Sequence, residues 1–193
     1  MKTLFFCAAF VLASGAAIAG PFGLEKGTSF AELNKRLKLK PETTGIYSTA
    51  NPPRAHPDFD DYRMTFAPGV GLCRVIAFSP PVTTNVYGEE AKQKYSTLQS
   101  ALIQKYGQPN HNFDELRHGS IWSDSKDWTM SLLKTERSLS TFWLSTDLPD
   151  SLQSIRLNTV ALSTTKVMIV IAYEFDNIQQ CTDWRKQQID SSL

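Results

Sequence analysis

Apolar residues recur along this chain with two periods, one helical and one of strand alternation. Phe30, Leu33 and Leu37 fall at i, i+3 and i+7, the spacing of a single helix face. Ser29 precedes them and Glu32 follows three residues on, a capping box that satisfies free N–H groups of a first turn. Lys35, Arg36, Lys38 and Lys40 crowd the far end, where cations suit the helix dipole, and Pro41 stops it. The pattern predicts a helix over about residues 30–39. A longer stripe, Ala91, Tyr95, Leu98, Leu102 and Tyr106, predicts a second helix over 89–106. Glu89 and Glu90 open it, Glu90–Lys94 is an i,i+4 pair, and Gly107 with Pro109 closes it.

Between the two helices, residues 41–60 are polar and carry Pro41, Pro52, Pro53 and Pro57, which predicts an exposed loop. Tyr62, Met64 and Phe66 then alternate with Arg63 and Thr65 as a half-buried strand. Ala67–Gly71 reads as a turn, and Leu72–Phe78 as the returning strand of a hairpin. Beyond residue 107 the chain turns β-rich. Ile121-Trp122 reads as a short strand. Trp128–Leu132 alternates and is read as a strand, although Trp128, Leu132 and Thr135 also fit a helix. Further strands are expected at Leu139–Leu144 and Ile155–Leu162. Val167–Phe175, the most apolar run after the first 19 residues, should be a central strand. A short helix around Thr182–Gln188 ends the chain. Segregated helices and strands predict an α+β fold: a mainly antiparallel sheet with two helices packed on one face. Residues 20–193 are read as a single domain, or as two small halves meeting near 80–90.

The first 19 residues change this picture. Lys2, the apolar run Leu4–Leu12 and Ala17-Ile18-Ala19 have the form of a secretory leader with an A-x-A cleavage site. The run is too short to span a bilayer, and no later stretch reaches the ~18 apolar residues a spanning helix needs. The expected location is therefore the periplasm or the exterior. Cys7 lies inside the leader and Gly20 follows Ala19, so no lipid anchor is expected. Cys73 and Cys181 remain, and in an oxidising compartment they should form a disulfide. The whole chain has 20 basic and 19 acidic residues, and losing Lys2 balances them. That balance argues against a nucleic-acid partner and against a polybasic membrane anchor.

Candidate chemistry is sparse. His111 and His118 flank Asp114 and Glu115, but i,i+7 is not the i,i+4 spacing of a zinc helix, and a polar loop or short helix is expected there. His56–Asp61 is acidic but lacks the glycine and distal glutamate of a calcium loop. No metal site and no cofactor are expected. There is no Gly-x-Ser-x-Gly elbow, and Gly69-Val70-Gly71 lacks the third glycine of a dinucleotide loop. No catalytic residue is assigned. Trp122, Trp128, Trp143 and Trp184 could serve a core or an interface.

Two stretches carry a resemblance. Lys26–Leu33 resembles the Gly-x-Ser/Thr-x-x-Glu-Leu helix opening of β-lactamase-inhibitor-like domains and BamE-type envelope lipoproteins, and Lys105–Pro109 resembles the helix ending before their sheet. The whole pattern also looks like uncharacterised secreted proteins of Gram-negative bacteria. The resemblance implies a protein-binding module with an envelope protein as partner. The expectation is thus a non-catalytic periplasmic binding or inhibitor-like protein, with Arg54, His56 and Phe59 in the 41–60 loop and Tyr62 just beyond it as the binding residues, because loops on rigid scaffolds carry recognition. Two alternatives stay open. One is a hydrolase acting on cell-wall or carbohydrate substrates through the acids near His56 or His111. The other is a structural envelope factor.

Overall fold

The computed structural model describes residues 20–191, so the expected leader at 1–19 lies outside the described residues. Helix α1 spans Phe30–Leu37, and the Ser29 hydroxyl accepts the Glu32 N–H at 3.2 Å, as the capping pattern requires. Strands β1 (Lys40–Thr43), β2 (Ile46–Thr49), β3 (Asp61–Ala67) and β4 (Gly71–Phe78) follow, then the short β5 (Val82–Thr83). Helix α2 spans Glu89–Tyr106 and buries Ala91, Tyr95, Leu98 and Leu102, the expected stripe. Then come β6 (His111–Leu116), α3 (Trp128–Leu133), β7 (Arg137–Leu144), β8 (Leu152–Ser163), β9 (Lys166–Phe175) and α4 (Ile178–Asp190).

All nine strands among the described residues join one antiparallel sheet, in the order β1-β2-β3-β4-β9-β8-β7-β6, with β5 on β9. A helix followed by a four-strand meander therefore occurs twice: α1 with β1–β4, and α2 with β6–β9. The meanders join at their last strands, where Val75 pairs with Tyr173 and Ala77 with Ile171. This places β9 centrally, as its apolar run predicts. Its Ile169, Ile171, Tyr173 and Phe175 pack in one cluster with Leu33 of α1 and with Tyr95, Leu98 and Leu102 of α2. Alternate residues form the other face, where Arg74 meets Glu174 at 3.4 Å and the Arg63 guanidinium lies 4.6 Å over Phe78.

Several sequence expectations are corrected. Among the described residues there are four helices, not two, and they pack in three separate clusters. Helix α3 forms a second cluster in which Trp128 and Leu132 pack with Ala91 and Val167. Helix α4 belongs to a third, around Cys73 and Cys181. Those cysteines are bonded, with Cα atoms 6.4 Å apart. Residues 128–132 are helical: Trp128 and Leu132 sit one turn apart on the buried side. Thr129 and Ser131, which an alternating strand would turn outward, are buried and donate hydrogen bonds to the carbonyls of Asn85 and Trp128. Ile121-Trp122 is not a strand, and Ile121 is 80% exposed. The 41–60 segment is only partly a loop, because it holds most of β1 and all of β2. Pro41 is tolerated there because β1 is an edge strand, whose outer N–H positions need no partner. The 111–116 segment is the opposite edge, strand β6, and not a loop or helix.

Candidate functional site

The segment that follows β2 runs back toward α2. Phe59 and Tyr62 are buried in the main cluster, so their side chains anchor this segment. The Tyr62 hydroxyl accepts the His56 N–H at 2.9 Å and lies within hydrogen-bond range of the His56 and Phe59 carbonyls. Burial pushes the Tyr62 pKa up. Asp58 forms an ion pair with Lys94, which pins the segment to α2. Arg54 is held through its backbone, donating its N–H to the Phe22 carbonyl at 2.9 Å, and its side chain stays exposed.

These contacts leave a cleft of about 380 Å³. Its walls are the lead-in Gly20–Phe22, the 54–59 segment and the α2 face carrying Leu98, Ala101 and Lys105, and its floor is Ile171 and Tyr173 of β9. Three of the four residues singled out in the sequence, Arg54, His56 and Phe59, line it together. Tyr62 lies behind it as support. Phe22 sets its aromatic wall, standing edge-to-face against Tyr62 at 4.8 Å, Tyr173 at 5.7 Å and Phe59 at 6.0 Å. The contributions of Phe22, Lys105 and Tyr173 come from segments remote in sequence. Nothing in the sequence tied them to the 41–60 segment.

The lining is mostly apolar, and its charged groups are basic. Arg54 and Lys105 have no ion-pair partner among the described residues, and Lys105 Nζ lies 4.7 Å over the Tyr106 ring. Burial pushes Tyr173 well above the usual phenol range and raises Tyr106. The Tyr106 hydroxyl is buried, with the Lys105 and Tyr173 side chains as its polar neighbours. An apolar cavity of this size with a few convergent polar groups is the usual form of a binding site. Its chemistry suits a hydrophobic or aromatic group that carries a negative charge at its edge.

His56 Nδ1 accepts the Asp58 N–H at 3.2 Å and lies 4.0 Å from Asp58 Oδ2, but the acids near His56 and His111 also hold cations. Asp58 pairs with Lys94, and Asp114 meets Arg137 at 2.6 Å. His111 stacks on Phe113 at the sheet edge. Among the described residues, no group of three or more His, Cys, Asp or Glu side chains could hold a metal ion. None of their helices is long and apolar enough to cross a membrane. A second groove, of about 350 Å³, is lined by Phe30, Tyr47, Phe66 and Trp184 near the disulfide. It lacks the cationic rim of the first. No protein-family model, curated protein or solved structure matches the chain.

Proposed function

We propose that the protein is a non-catalytic binding module of the cell envelope, and that it grips a protein partner by an apolar side chain flanked by an acidic residue. The observation that supports this reading is the cleft beside α2, apolar and aromatic inside, with the unpaired cations Arg54 and Lys105 at its rim. Interfaces draw most of their energy from a few anchor residues seated in such pockets, and rim charges set orientation and encounter rate. Secretion through the 1–19 leader belongs to the same proposal. It accounts for an oxidised cysteine pair in a chain of this composition.

Selection of displayed peptides on the immobilised mature protein tests the reading. Enriched peptides should combine an aromatic or large aliphatic residue with a neighbouring Asp or Glu. Their binding should fall at least tenfold in Ala101→Trp, which fills the cleft from an exposed helix position, and in the Arg54→Glu, Lys105→Glu pair. Peptides without that signature, or binding indifferent to both variants, would refute it. Hydrolysis of cell-wall glycans or glycosides that is lost on changing His56 or His111 would put the enzyme alternative ahead.

A further inference from the structure

The corner where the described chain begins holds unusual backbone and an unsatisfied polar atom. Gly20 is buried, and its carbonyl accepts the Gly23 N–H at 2.9 Å. A side chain at this position would overlap the Leu24 carbonyl oxygen, so only glycine fits. Its first carbon would lie 3.8 Å from Asp150 Cβ. Asp150 and Ser151 are consecutive non-glycine residues in the left-handed region, with φ of 62° and 58°, and Phe22 shares that conformation at 56°. Such conformations cost free energy and persist where surrounding structure enforces them, often at ligand clamps. Here the Ser151 carbonyl is held by the Asp176 N–H at the end of β9.

Asp150 Oδ2 is buried and has no hydrogen-bond partner. The Tyr106 hydroxyl is buried nearby, where it feels the charges of both Lys105 and Asp150. A buried carboxylate oxygen without a donor is unfavourable. No Lys or Arg side chain pairs with it among the described residues. Asp150 as a whole is half-buried, and the nearby backbone is that of Gly20, where a Cβ would stand 3.8 Å from Asp150 Cβ.

We propose that Asp150 is the receptor for the chain's own new N-terminus. Cleavage between Ala19 and Gly20 gives Gly20 an α-ammonium, which pairs with the Asp150 carboxylate. The proposal rests on the reading of residues 1–19 as a leader. Hydrolysis of that peptide bond by a leader peptidase consumes one water and leaves a carboxylate on Ala19 and a protonated amine on Gly20. Before cleavage the nitrogen is an amide with one donor and no charge. Afterwards it has three donors and a positive charge, which suits the orphaned Asp150 oxygen. Processing would then fasten the Gly20–Phe22 wall of the cleft and favour the left-handed turn at Asp150.

A double-mutant cycle tests this. Chains beginning at Gly20, or three residues earlier at Ala17, are each made with Asp150 and with Asp150→Asn, and unfolded in urea. The Gly20 chain with Asp150 should have an unfolding constant at least fivefold smaller than its extended form. In the Asp150→Asn background that ratio should fall below twofold. An extension with no effect, or effects that simply multiply, would overturn the proposal. Should Asp150→Asn fail to fold, the acylation rate of the α-amine decides. It should be at least tenfold slower in the Gly20 chain than in the extended chain, and equal rates would refute the pairing. The intact mass of the exported protein reports separately on where processing occurs, so a wrong cleavage site and a wrong pairing give different results.

Discussion

Replacing Cys73 and Cys181 together by alanine should destabilise the protein mainly through its unfolded state. The bonded residues are 108 positions apart. For a loop of that length the chain-entropy model gives a constraint of about 4.7 kcal/mol, an upper figure that depends on the model. Both side chains are fully buried among Ala67, Val70, Ile178 and Trp184, so some packing is lost as well. Helix α4 keeps other anchors. Arg185 Nε donates to the Thr44 carbonyl at 3.0 Å, and Asn177 Nδ2 to the Leu72 carbonyl at 3.1 Å. The variant should therefore fold with α4 docked and lose about 3–5 kcal/mol in urea unfolding. At 2–4 °C per kcal/mol for a domain of this size, Tm should fall by about 6–20 °C. Hydrogen exchange should show the greatest loss of protection in α4 and the least in β9. A loss below about 1 kcal/mol would refute the argument, because it would mean that the crosslink constrains little. So would two titratable thiols per chain in the denatured, unreduced parent protein.

Leu98→Ala removes a side chain that is 6% exposed in the main cluster, and it should cost about 2–5 kcal/mol in the same urea assay; a cost below 1 would mean that α2 buries another face. Gly88 has φ of 72°, and a Cβ there would overlap the Trp128 ring. Gly88→Ala should therefore lower stability by about 2–5 kcal/mol, strain and overpacking combined, whereas the open site at Gly69 should tolerate alanine with a smaller loss. Burial pushes the Tyr95 phenol up to about 12, while its hydroxyl meets Thr141 Oγ1 at 2.7 Å and the Leu157 carbonyl at 3.2 Å. The folded state thus keeps a proton that the unfolded state releases above pH 10. Stability should fall as pH rises from about 10 towards 12, and Tyr95→Phe should flatten part of that slope in a pH series of unfolding curves.

Legibility in the sequence followed how strongly each segment is buried on one side. Helix α2 was readable to its ends because four stripe residues are buried and Gly107 caps it. The β3–β4 hairpin, β8 and β9 were readable because their apolar residues alternate or run continuously. The two sheet edges were not. All four residues of β1 are exposed, and β6 is polar, so neither carries a periodic signal. The α3 segment misled because Thr129 and Ser131 look like a solvent face, yet their hydroxyls satisfy backbone carbonyls inside. The cleft was half legible. Arg54, His56 and Phe59 lie within six positions of one another in the chain, while Phe22, Lys105 and Tyr173 reach it only through the pairing of β4 with β9 and the docking of α2.

The most direct test of the binding cleft is to map backbone-amide chemical shifts of the mature protein as a selected acidic–aromatic peptide is added. The account predicts saturable shifts concentrated at Arg54, Phe59, Ala101, Lys105 and Tyr173, and their loss in Ala101→Trp. Shifts centred instead on Arg74, Arg156 and Glu174, across the opposite face of the sheet, would contradict it.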